Sequence, residues 1–172
     1  MSPRRKLVML GEMAVGKTSI VRRMVFGRFD GDYKGTLGHD IFVHSLTGLG
    51  PGADQSLDLA IWDTDGGLGA GAFYFDASVR GASGVVIVAD ANRPQTITTM
   101  ASLCKECEAR LPGRPISLVF NKVDVLDDPA SYRIPADLAA MDHASYKASA
   151  KTGENIEAVF VDAANAIIRR GL

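Results

Sequence analysis

Gly11-Glu12-Met13-Ala14-Val15-Gly16-Lys17-Thr18 decides how this chain is read. Its spacing, G-x-x-x-x-G-K-T, is that of a phosphate-binding P-loop. Ahead of it, Lys6-Leu7-Val8-Met9-Leu10 is a short apolar run suited to a buried parallel strand. Behind it, the residues from Thr18 to Phe26 have the length and composition of a helix. Strand, loop and helix are the setting in which the pattern does chemistry. Gly11 and Gly16 let the backbone turn and approach phosphate without an intervening side chain. Loop N–H groups and the helix N-terminus face an anion, so Glu12, Met13, Ala14, Val15, Gly16, Lys17, Thr18 and Ser19 are candidate phosphate-binding positions. Lys17 can reach the β- and γ-phosphates, and the Thr18 hydroxyl can ligate Mg²⁺.

The rest of the chain follows the same alternation. Residues 40–46 and 56–62 read as two strands of a hairpin, joined by a turn-rich connector over 47–54. Residues 84–90 and 116–120 are β-branched, apolar runs, expected as buried strands. Ile97, Met100, Cys104, Cys107 and Leu111 recur at steps of three and four, and Ile156, Val159, Phe160, Ala163, Ile167 and Ile168 cluster on one side of a helix, so each set marks one face of an amphipathic helix. A weak strand is expected at 145–148. Strands alternating with helices predict an α/β fold: a mostly parallel six-stranded sheet with helices on both faces. The loops at 11–18, 63–67 and 121–124 all follow strands and should converge at one sheet edge.

With 172 residues, one domain spanning 1–172 is the expectation. A net charge of −1 argues against a nucleic-acid partner. Cys104 and Cys107 cannot form a disulfide framework and are read as helix packing. No apolar run reaches the length of a membrane span, the start lacks a signal peptide, and the end lacks a prenylatable Cys. The expectation is a cytoplasmic protein with no intrinsic membrane anchor.

Two further loops define the ligand. Asp63 ends a strand and opens a glycine-rich loop, where an acidic residue in P-loop enzymes helps to hold Mg²⁺, directly or through water. Gly66 leaves room for a backbone N–H to meet the γ-phosphate. Asn121-Lys122-Val123-Asp124 follows a buried strand. A carboxylate at Asp124 accepts two hydrogen bonds from guanine's ring N–H and exocyclic amine, a donor pair adenine lacks. Lys122 packs along the base, Asn121 ties this loop to the P-loop, and Ser149-Ala150-Lys151 adds backbone N–H groups toward the guanine carbonyl.

On these boxes, together with Thr36, Trp62-Asp63-Thr64, Val79-Arg80-Gly81-Ala82 and Ser149-Ala150-Lys151-Thr152-Gly153-Glu154-Asn155-Ile156, the chain resembles the Ras superfamily of small GTPases, in the style of its Rab and Ras branches. The resemblance implies a signalling switch that binds GTP or GDP with Mg²⁺ held by Thr18, Thr36 and Asp63. It implies Phe29 edge-on to guanine, Tyr33 as a lid on the phosphates, and Thr36 on the γ-phosphate. It implies switch I near 30–40 and switch II near 65–80, with an effector, an exchange factor and an activating protein as partners. Ras-like members that lack a lipidated tail occur in bacteria and archaea, and this chain is similar to them in that respect.

Three positions depart from the family. Gly67 stands where the water-orienting Gln is expected. Asp65 replaces a small residue, and its carboxylate is open to three readings: positioning water, positioning Mg²⁺, or repelling the phosphate. Met13 occupies a usually small position, where it would crowd an arginine finger worth roughly 10³–10⁵ in rate. With Lys17, Thr36, Asp65 and Gly67 as the catalytic positions, the expectation is weak GTP hydrolysis; a non-hydrolysing scaffold is the alternative. Four glycines within residues 66–71 add an expectation of a loose switch II.

Overall fold

The computed structural model describes residues 2–31, 35–67 and 72–172, with side chains omitted at 72–74. Six strands form one sheet: β1 (Arg4–Leu10), β2 (His39–Leu49), β3 (Gln55–Thr64), β4 (Gly84–Asp90), β5 (Ile116–Asn121) and β6 (Ala144–Lys147). Their order is β2-β3-β1-β4-β5-β6, with β2 antiparallel to β3 and every other pairing parallel. The helices are α1 (Lys17–Phe26), α2 (Ala72–Val79), α3 (Pro94–Arg110), α4 (Ala136–Ala139) and α5 (Ile156–Arg169).

Alternation along the strands divides the core into two layers. Leu7 and Met9 of β1, with Val86 and Val88 of β4, pack on the side of α1 and α5. Val8 and Leu10, with Val85 and Ile87, pack on the side of α2 and α3. Helix α5 buries Ile156, Val159, Phe160, Ala163 and Ile167 of the expected stripe, with Ala164 beside them and Ile168 partly buried. A fully buried Ile, Val or Phe contributes roughly 1.5–3 kcal/mol relative to its exposed state, so this stripe anchors the helix firmly. Because both faces of β4 and β5 are covered, these strands are apolar apart from the buried Ser117 and, at their ends, Asp90 and Asn121.

The hairpin differs from its sequence reading. Strand β2 continues through the glycine-containing connector to Leu49, which is buried and pairs with Gln55 across a register shift. Its tip is docked: the Gly50 N–H donates to Asn165 Oδ1 of α5 at 2.8 Å. Tertiary burial of Leu49 thus overrides a locally turn-like composition. No helix among the described residues is long and apolar enough to cross a membrane.

Candidate nucleotide site

The loops after β1, β3, β5 and β6 meet at the carboxyl edge of the sheet and enclose a cavity of about 470 Å³. Its lining includes Met13, Lys17, Thr18, Phe29, Thr36, Asp65, Gly66, Lys122, Asp124 and Lys151. Between β1 and α1 the P-loop backbone is left-handed at Ala14 (φ 63°) and at Gly16 (φ 100°). A Cβ on Gly16 would lie 2.3 Å from Asn121 Nδ2, so glycine is required there by both conformation and space. No side chain caps the N-terminus of α1, which leaves its first amides available to an anion.

Lys17 is buried and its Nζ donates to the carbonyls of Gly11 and Glu12, each at 2.8 Å. Burial pulls its pKa down to about 8, against the opposing pull of the Asp63, Asp65 and Glu12 carboxylates. The Thr18 hydroxyl donates to Asp63 Oδ2 at 2.5 Å and lies 2.8 Å from the Thr36 hydroxyl. Asp63 is itself buried, which raises its pKa to about 6 despite the Thr18 hydrogen bond and the nearby Lys17. Its second oxygen, Oδ1, is buried without a hydrogen-bond partner. Three hard oxygen donors around an unsatisfied carboxylate oxygen suit Mg²⁺, which prefers such ligands and keeps several waters.

On the opposite wall, Asn121 Nδ2 donates to the Val15 carbonyl at 2.9 Å and Asn121 Oδ1 accepts from the Ala150 N–H at 3.1 Å. This one side chain joins the P-loop, the end of β5 and the loop after β6. Lys122, left-handed at φ 66°, donates from Nζ to the Ala14 carbonyl at 2.7 Å and to Asp90 Oδ2 at 2.8 Å. Its aliphatic stem is thereby laid along the cavity. Asp124 Oδ1 accepts from the Ser149 hydroxyl at 2.5 Å, which orients the carboxylate.

The positions that depart from the family gather at one end. Gly66 lies against the P-loop: a Cβ there would fall 2.1 Å from the Met13 nitrogen and 2.3 Å from its Cα. The Asp65 N–H donates to the Gly38 carbonyl at 2.9 Å, and its carboxylate accepts from the Gly38 N–H at 3.4 Å and the Gly67 N–H at 3.2 Å. Asp65 thus fastens the loop after β3 to the segment ahead of β2. Met13 is 59% exposed at the cavity rim. Tyr33 and residues 68–71 lie outside the described residues.

One group escaped the sequence reading. Arg93, immediately before α3, donates to the Met13 carbonyl at 3.1 Å and to Glu12 Oε2 at 3.3 Å, while the Thr99 hydroxyl donates to Glu12 Oε1. The tip of the P-loop is held from a helix some eighty residues away. A lone Arg before Pro94 carries no local spacing that could have signalled this.

The sequence model of the Ras family matches residues 6–169. The chain belongs to the Ras family. This Ras-family chain is 32% identical over 180 residues to Ras-related protein Rab7 of Glycine max, covering 95% of the chain and 82% of that relative. It is 33% identical over 175 residues to Ras-related protein Rab7 of Drosophila melanogaster, covering 94% and 80%. To Ras-related protein Rab-36 of Homo sapiens it is 34% identical over 165 residues, covering 90% of the chain and 58% of the relative. It is a small GTPase of the Ras and Rab kind, and the six-stranded α/β arrangement is the fold expected of it.

Proposed function

We propose that residues 1–172 form one guanine-nucleotide switch that binds GDP or GTP with Mg²⁺ and hydrolyses GTP slowly. The observation that carries this reading is the convergence of Lys17, the Thr18–Thr36–Asp63 cluster and the Ser149-oriented Asp124 on one cavity. Asp124 selects guanine, and Phe29, Lys122, Ala150 and Lys151 surround the base. Lys17 and the amides of residues 12–19 neutralise the phosphates, charge stabilisation that a buried site strengthens. Thr18, Thr36 and Asp63 would hold Mg²⁺, which supplies charge neutralisation across the β- and γ-phosphates. Thr36 and the Gly66 N–H report the γ-phosphate to switch I and switch II.

Slow hydrolysis follows from the site's chemistry. Gly67 has no side chain to orient water, and the Asp65 carboxylate is already engaged by two backbone N–H groups. That engagement favours a loop-fastening role over water positioning. Leu37 is 94% exposed, and Ile41 and Val43 are also exposed, which supports an effector surface on switch I and β2. Exchange and activating proteins complete the expected partners, and cytosolic action fits a chain with no membrane-length helix among the described residues.

The second reading, a scaffold that retains GTP, is favoured by the same Gly67 and Asp65. Loading purified protein with GTP and Mg²⁺, then analysing the bound nucleotide over time, separates the two. Accumulating GDP supports the slow switch; GTP that persists over hours supports the scaffold. Asp124→Ala should lose its preference for GTP over ATP, and undiminished guanine selectivity in that variant would overturn the assigned base reader.

A further inference from the structure

Among the described residues, one group of three metal-ligating side chains lies away from the nucleotide cavity: Cys104, Glu108 and His143. Cys104 and Glu108 are one turn apart on α3 and so share a face of the helix. His143 immediately precedes β6, whose first residue, Ala144, pairs with Ser117 near the start of β5. The group therefore sits toward the amino-terminal end of these strands, away from the loops that form the nucleotide cavity. One ligand atom from each residue lies within 4.8 Å of the other two. We propose that Cys104, Glu108 and His143 bind a zinc ion, with water in the fourth position.

The chemistry of the donor set selects the metal. A thiolate, an imidazole and a carboxylate suit Zn²⁺, whereas Mg²⁺ and Ca²⁺ prefer all-oxygen sites. Tetrahedral zinc with its usual bond lengths needs a sulfur–nitrogen separation of ~3.6 Å and a nitrogen–oxygen separation of ~3.4 Å. His143 Nε2 and Glu108 Oε1 are already 2.9 Å apart, so this edge opens by about half an ångström. The Cys104 sulfur closes the third corner by about an ångström from the limit of its reach. Cys104 is fully buried and the His143 side chain is only 14% exposed, while Glu108 is half exposed. The thiol and imidazole are thus shielded, and the Glu108 side gives the ion and its water a way in. Binding replaces the S–H bond with a sulfur–zinc bond and releases that proton to solvent; the hydrogen bond between His143 Nε2 and Glu108 gives way to coordination by both, any proton on Nε2 passing to Nδ1 or to solvent. Cys107, one helical step from Cys104 and also buried, is not part of the group.

The test uses untagged full-length protein, stripped with chelator and carrying Mg²⁺–GDP. Co²⁺ serves as an optical probe, and Zn²⁺ is titrated against a chromogenic chelator. One equivalent of metal, a thiolate-to-cobalt charge-transfer band, and displacement of Co²⁺ by Zn²⁺ are expected. His143→Ala and Glu108→Gln should weaken zinc by at least the roughly 10–100-fold seen when outer partners of a metal site are lost. Cys107→Ser should bind as the parent does. Zinc should raise the melting temperature of the parent but not of His143→Ala, whose own zinc-free melting temperature is the reference because it removes a largely buried side chain. The absence of a thiolate band, or equal zinc binding by parent and His143→Ala, overturns the site.

Discussion

Asn121→Ala should destabilise the fold as well as the ligand site. The side chain is buried, and its amide serves two backbone groups that are themselves buried, the Val15 carbonyl and the Ala150 N–H. Truncation leaves both without a partner. Each buried orphan costs about 1–3 kcal/mol, so the sum is roughly 2–6 kcal/mol. The space vacated is polar-lined and can admit a water, which favours the lower half, about 2–4 kcal/mol. For a domain of this size each kcal/mol moves Tm by about 2–4 °C, giving a fall of roughly 4–16 °C in the nucleotide-free protein. Thermal unfolding followed by circular dichroism reads this directly. A double-mutant cycle sharpens it. Gly16→Ala places a Cβ 2.3 Å from Asn121 Nδ2, a clash that Asn121→Ala removes. The double variant should therefore be less destabilised than the sum of the singles, by about 0.5–3 kcal/mol. A Tm shift under about 2 °C for Asn121→Ala, which at ~2–4 °C per kcal/mol is well below the predicted cost, or strict additivity in the cycle, would refute the bridging role.

Three further perturbations probe the other walls of the site. Gly66→Ala forces a Cβ into the Met13 backbone, and overpacking of this kind costs about 1–3 kcal/mol; the contact should open, with Tm falling and the preference for GTP over GDP shrinking toward unity in competition binding. A Cβ at position 67 comes nearest to the Asp65 carboxylate, with Oδ1 at 3.2 Å, so Gly67→Gln should be accommodated by a small shift of that carboxylate. Single-turnover GTP cleavage should rise by roughly tenfold or more, about 1.4 kcal/mol in the barrier, and an unchanged rate would show that the missing Gln is not what limits turnover. Arg93→Ala breaks partly exposed bonds to Glu12 and the Met13 carbonyl, so stability should change by less than about 1 kcal/mol while the GDP dissociation rate, followed by fluorescent-nucleotide exchange, increases.

The architecture was legible because its signals are local. The apolar run before Gly11, the β-branched run at 84–90 and the spacing of Ile156, Val159 and Phe160 each report their own burial. The site was legible for the same reason: Lys17 with Thr18, and Asn121 with Asp124, are fixed by short loops. What escaped depends on partners distant in sequence. Leu49 sits among Gly48, Gly50, Pro51 and Gly52, so only its burial in the core beneath the sheet reveals it as strand. The pairing of Cys104 with His143 crosses an intervening strand, and a search for closely spaced Cys and His pairs passes over it. The sequence shows Asp65 only as a charge beside the glycine-rich loop; its carboxylate is engaged by the Gly38 and Gly67 amides, a geometry that spacing cannot encode.

That Asp65 fastening gives the two nucleotide-sensing loops a common degree of freedom. Here Gly38 and Asp65 exchange backbone and carboxylate bonds, so a protein that grips the exposed Leu37, Ile41 and Val43 also loads the loop carrying Gly66. By thermodynamic reciprocity, the factor by which GTP tightens such a partner is the factor by which the partner tightens GTP. On the slow hydrolysis proposed above, the duration of the active state would then be set by how long the partner stays.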